Sequence, residues 1–204
     1  MEHTLTLSKI FKHLKTILTH KYYVFKYCCK CGIIWRGIVH DLSKFSYTEF
    51  VNNARYYAEG KSPIDLQKEH IGYAISWFHH KGRNSHHHEY WFDRFADGCY
   101  ATRLPVDDAI ESVCDNIAAS ITYSGKDKFS FTSLYDNWWC KSREREKMHP
   151  DYSEFKDTVF SILKTLESNH DDNLYILDYK RMKKLYEDII SKNNNPIQMK
   201  LGDI

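Results

Sequence analysis

Leu7-Ser8-Lys9-Ile10-Phe11-Lys12-His13-Leu14-Lys15-Thr16-Ile17-Leu18-Thr19-His20-Lys21-Tyr22-Tyr23-Val24-Phe25 is the stretch on which the fold class turns. Its apolar residues, Leu7, Ile10, Phe11, Leu14, Ile17, Leu18, Val24 and Phe25, recur at intervals of three and four. That is the period of a helix and not of a strand. The spacing predicts one helix from about Leu5 to Cys31, with these residues as its inward stripe and Gly32 as its stop. His13 and His20 are seven residues apart and share a face that overlaps the stripe.

The same period continues outward. A short helix is expected over about 33–42, ending in His40-Asp41. Ser46-Tyr47-Thr48-Glu49 reads as a capping box that opens a third helix to about Glu59. A fourth is expected from about Asp65 to Lys81, with Ile71, Ala74, Ile75 and Phe78 inward and Gly82 as its stop. Ser85 can cap a fifth that ends near Gly98. Pro105 opens a sixth, with Ile110, Val113, Cys114, Ile117 and Ile121 inward. Residues 125–132 are polar and irregular. Two amphipathic helices follow, over about 151–168 and 173–192, and no strand series is evident. The expectation is an all-α, single-domain helical bundle over residues 1–192 with a loose polar tail over 193–204.

Composition narrows the function classes. A chain of 204 residues fits one domain. A formal net charge of +2 argues against an obligate nucleic-acid partner. No apolar run approaches the roughly 18 to 20 residues that span a bilayer, so no membrane is implied. The start of the chain lacks a signal-peptide pattern, and a cytoplasmic protein is expected. The six cysteines are then read as thiols, with Cys28 and Cys31 a lone CxxC.

The chemistry concentrates in His79-His80-Lys81-Gly82-Arg83-Asn84-Ser85-His86-His87-His88-Glu89-Tyr90-Trp91, with five histidines in thirteen residues. His20 and His40-Asp41 precede it and Asp115 follows it. Imidazole and carboxylate form the ligand set of zinc, manganese and iron. Neighbouring residues on a helix point about 100° apart, so His40 and Asp41 can share an ion only where the backbone turns at a helix end. On the fourth helix His79 lies about 80° from the apolar centre and His80 about 180° from it, which makes His79 the inward candidate. Among His86, His87 and His88 the spacing does not choose. Asp115 stands beside Cys114 and Ile117, where a carboxylate is costly to bury without a partner. Arg83-Asn84 at the turn, with Lys44, are candidate substrate contacts suited to an anion.

This order of residues resembles the HD-domain superfamily of metal-dependent phosphohydrolases, helical bundles in which a His, a His-Asp doublet and a distal Asp hold one divalent metal. Carried over residue by residue, the signature falls on His20, His40, Asp41 and Asp115. Some members add histidines between the doublet and the last Asp and bind two metals; His79, His86 and His87 stand in that interval. Many members keep an acid about one turn after the doublet. Here Lys44 holds that place and Glu49 is the nearest acid, so both are candidates for the catalytic group. A closer similarity is to a phage and bacterial family, domain of unknown function 5662, through His40-Asp41-Leu42-Ser43-Lys44-Phe45, His79-His80, Arg83-Asn84, His86-His87, Glu89-Tyr90-Trp91, Cys114-Asp115 and Met148-His149-Pro150. It favours His86 and His87 as ligands and implies a bacterial or infected-host cytosol.

The resemblance implies a metal-dependent phosphohydrolase acting on a nucleotide or small phosphoester, with one or two divalent ions (Mn, Zn, Fe, Co or Mg). Two other readings stay open: an HD-type di-iron oxygenase, and a non-catalytic phage factor that binds a nucleotide or protein. Self-association is left open.

Overall fold

The computed structural model describes residues 3–202. Helix α1 spans Leu7–Lys30, and the Thr6 hydroxyl caps it by accepting the Lys9 amide. Helices α2 (Ile34–Val39), α3 (Tyr47–Arg55), α4 (Pro63–Ile71) and α5 (Ile75–Lys81) follow. The long helix α6 (Val106–Ser124) buries eleven residues and is the central element. A short turn α7 (Phe131–Ser133) runs through a π-helical segment, 134–139, into α8 (Cys140–Arg145). The chain closes with α9 (Pro150–Ser168) and α10 (Tyr179–Asn193). The apolar core lies between α1, α6, α9 and α10, around Val24, Ile110, Ile117, Phe155, Phe160 and Tyr186. Among the described residues no helix is long and apolar enough to cross a membrane.

The molecule is mostly helical but carries a small sheet, which corrects the all-α expectation. Strands β1 (Phe92–Phe95), β2 (Gly98–Thr102) and β3 (Gln198–Lys200) lie antiparallel in that order. The helix expected from Ser85 to Gly98 is instead one 3-10 turn, His88–Trp91, followed by the β1–β2 hairpin. Asp97-Gly98 between aromatic and β-branched residues is the signal that points to a hairpin. Residues 198–200, read as part of a loose tail, pair with β2 through Ala101 opposite Met199. Arg103 holds the approach to that strand by donating to the carbonyl of Asn195 at 2.6 Å.

Two helix faces differ from the apolar pattern. On α1 the buried line is His13, Ile17, His20, Val24, Tyr27 and Cys28. Leu7, Phe11 and Leu18 are exposed, at 73, 67 and 52 %. The expected fourth helix breaks at Gly72, whose φ of +83° ends α4 in the left-handed conformation. On α5, Ser76 and His80 are buried while Ile75 and Phe78 are exposed. In both cases a histidine-bearing face is turned inward in place of the most apolar one.

Candidate metal centre

His40 and Asp41 close α2, and the backbone turns sharply there. Asp41 adopts φ 54° and ψ 29°, the left-handed region. Asp tolerates it better than most residues, and such conformations gather at functional sites. The turn lets two consecutive side chains converge. Both are 2 % exposed.

The two oxygens of Asp41 face different partners. Toward one side, His20 Nε2 lies 3.0 Å from Asp115 Oδ1 and 3.6 Å from Asp41 Oδ2. His40 Nε2 lies 3.1 Å from Asp41 Oδ2 and 3.4 Å from Asp115 Oδ1. Toward the other, His80 Nε2 and His86 Nε2 lie 3.4 and 3.5 Å from Asp41 Oδ1. His87 Nε2 sits 2.9 Å from His80 Nε2. The two sets, His20-His40-Asp41-Asp115 and Asp41-His80-His86-His87, each bring one donor atom per residue within 4.8 Å of the others.

His20 Nε2, His40 Nε2, His86 Nε2 and Asp41 Oδ1 are buried without a well-formed hydrogen bond, while Asp41 Oδ2 pairs with Lys44 at 2.5 Å. Each unmet buried polar atom costs about 1–3 kcal/mol. Four of them aimed at one small region fit divalent cations, and the donor set of nitrogen and oxygen suits Mn, Fe, Co or Zn.

The rings are held from behind. Glu111 Oε1 accepts from His40 Nδ1 at 2.7 Å and lies 3.3 Å from His86 Nδ1. Glu49 does the same on the other side, 2.6 Å from His79 Nδ1 and 2.8 Å from His80 Nδ1. A carboxylate on Nδ1 leaves Nε2 of that ring free for a metal. Arg36 in turn donates to Glu111 Oε2 at 2.6 Å and pairs with Asp108. Asp108 also accepts from the Ser85 hydroxyl at 2.5 Å, which ties the histidine-rich turn to α6.

Electrostatics follow this arrangement. Burial pushes Asp41 up, but His40, Lys44 and His80 outweigh it and hold the carboxyl well below its usual range. Asp115 and Glu111 are also held low against burial, by His20 and His40 and by His40 and His86. Burial, helped by His86 and His80, drives His87 well below the usual histidine range and keeps it neutral. Burial pushes His40 down, but Asp41, Asp115 and Glu111 outweigh it and raise the ring well above the usual histidine range, so a cation bound there would displace its proton.

The centre opens on a cavity of about 150 Å³. His13, Asn53, Lys44, Trp77 and Tyr123 line it together with His20, His80, His87 and Asp115. His13 is buried with both ring nitrogens unpartnered, and burial beside Lys44 pushes it down to about 4. Asn53 Oδ1 is likewise unpartnered.

The structure brings His20, His40, Asp41, His86, His87 and Asp115 together. It places His79 outside both sets, on the far side of Glu49, with His80 in the position foreseen for it. Lys44 lines the cavity, 2.5 Å from Asp41 Oδ2. Glu49 stands behind the rings, outside the cavity lining. Arg83 donates to the carbonyl of His79, and Asn84 to the Ser43 hydroxyl and the carbonyl of His80. Neither lines the cavity. Sequence reasoning missed His80, His13 and Glu111. The sharing of one face by His13 and His20 was a usable signal for His13. His80 escapes the apolar pattern because on α5 the buried face carries Ser76 and His80 while Ile75 and Phe78 face outward. The cysteines are free thiols; Cys28, Cys31 and Cys114 are buried in the core.

Residues 9–165 match the family of unknown function DUF5662, and the chain belongs to that family. A search of the curated proteins and one of the solved structures found no match.

Proposed function

We propose that this centre hydrolyses phosphate esters with the help of two divalent cations. The observation that carries the reading is the division of Asp41: one carboxylate oxygen faces His20 and His40 and pairs with Lys44, the other faces His80 and His86. A carboxylate shared between two imidazole-rich sets is the arrangement of a bridging ligand. His20, His40 and Asp115 would complete one site, and His80, His86 and His87 the other. Bound there, the cations would supply Lewis-acid stabilisation of the phosphoryl oxygens and an acidified water.

The residues of the chain supply the rest. Lys44 places a cation in the cavity, where negative charge on a phosphoryl group needs compensation. His13 and Asn53 offer unpartnered polar atoms that can hydrogen-bond the substrate. Glu111 and Glu49 fix the ring orientations, so the geometry is in place before substrate arrives. Trp77 and Tyr123 contribute aromatic rings to the cavity wall.

A second reading draws on the donor count. Five imidazoles against two carboxylates also suit a pair of irons that activate oxygen. The test is a panel of phosphomonoesters and phosphodiesters assayed with protein loaded with Mn, Co, Zn or Fe. Turnover that is lost in Asp41→Ala and independent of oxygen supports hydrolysis. Turnover requiring iron and oxygen selects the second reading, and no turnover of any ester contradicts the first.

A further inference from the structure

We propose that a second, outer cavity beside the metal centre is a polyanion site, and that the substrate carries phosphates beyond the one that enters the centre. This rests on the phosphohydrolase reading of the inner cavity. The inner space, about 150 Å³, is the smaller of two adjoining cavities and carries candidate metal ligands on its wall. A substrate larger than a phosphoryl group would extend beyond it.

A cavity of about 530 Å³ lies there. Thr16, Pro63, Thr122 and Tyr123 line both spaces, so the two are adjacent and share a wall. The outer wall carries Lys12, Lys15, Lys61 and Lys128 against one carboxylate, Glu59. Those lysines come from α1, the α3–α4 loop and the turn after α6. All four are exposed, and the ion pairs among the described residues include none of them. The formal charge of this one concavity is thus +3, while that of the whole chain is +2. Positive charge is therefore concentrated at the mouth of the site, where a low-dielectric concavity strengthens its pull on an anion. Tyr57 and Tyr123 add two ring faces to the same wall. Phosphates beside lysines and a flat ring beside tyrosines describe a nucleoside polyphosphate, its terminal phosphoryl group in the inner cavity.

The experiment compares the wild type with a triple variant, Lys15→Gln, Lys61→Gln and Lys128→Gln. Calorimetry measures binding of orthophosphate, tripolyphosphate and adenosine triphosphate to the metal-loaded protein, with magnesium in excess over each probe. The wild type is expected to bind tripolyphosphate and adenosine triphosphate at least about tenfold more tightly than orthophosphate. The triple variant is expected to lose that advantage and keep its orthophosphate affinity. Tripolyphosphate binding no tighter than orthophosphate, or unchanged in the variant, overturns the outer site. Turnover of p-nitrophenyl phosphate is followed in parallel. Turnover with no lysine dependence of binding sinks the outer site and spares the hydrolase reading. Lysine-dependent binding with no turnover of any phosphoester does the reverse.

Discussion

Among single residues, His79 and His80 are adjacent in sequence and unequal in place. Only His80 presents Nε2 to Asp41, at 3.4 Å. His80→Ala should lower metal affinity at one of the two sites by at least about 10–100-fold, the range seen when a residue that merely supports a ligand is lost. His79→Ala should leave both affinities within about twofold of the wild type. Titration calorimetry with manganese distinguishes them, and equal losses in both variants would remove His80 from the centre. Glu111 makes a complementary case. Glu111→Gln keeps the shape but weakens the hold on His40 and His86, so metal affinity should fall while the circular dichroism spectrum stays helical. The candidate ligands His20, His40, Asp41 and Asp115 were legible in the sequence because their order is itself a pattern. His80 was not, because the apolar pattern sets helix phase in a sequence, and on α5 Ile75 and Phe78 face outward.

At the scale of elements, α2 matters because it delivers His40 and Asp41. Gly37 makes that delivery possible. A Cβ there would meet Cys28 Cβ at 2.7 Å and the Phe25 backbone at 3.2 Å, so α2 sits directly on α1. Gly37→Ala should therefore push the helices apart and destabilise the fold by about 1–3 kcal/mol, a typical cost of overpacking. Because the displaced helix carries two ligands, metal affinity should fall with stability. Urea unfolding with and without manganese reads both, and an unchanged midpoint would contradict this packing account. The helices themselves were largely legible, since α6 and α9 follow their apolar period closely. The hairpin was less so: its segment is short, with few alternations, and its pairing with β3 joins residues about a hundred positions apart. Such long-range pairing leaves little trace in a local pattern.

At the scale of the whole molecule, stability should depend on pH through Lys156. It is 3 % exposed and enclosed by the rings of Trp139, Tyr152, Trp138 and Phe160, at 4.6, 5.2, 5.4 and 6.0 Å. Burial pushes its ammonium down to about 8, against the attraction of Glu146. An unfolded lysine titrates near 10.4, so between about pH 8 and 10 the unfolded chain binds more protons and stability gains from rising pH. Below pH 8 the full cost of burying the charge is present, at most about 3 kcal/mol. Lys156→Met should then be more stable than the wild type at pH 7, and the gap should shrink as pH rises toward 10. A constant difference across that window, measured by urea unfolding, would show that Lys156 does not titrate as described.

The centre lies where α1, α2, α5, α6 and the histidine-rich turn meet, so cations held there would tie these elements together further. Elemental analysis of the protein, reconstituted with manganese and dialysed, tests this most directly. The account predicts about two ions per chain for the wild type and loss of both in Asp41→Ala, whose carboxylate is shared. Retention of no ion by the wild type, or of the full complement by Asp41→Ala, would contradict it.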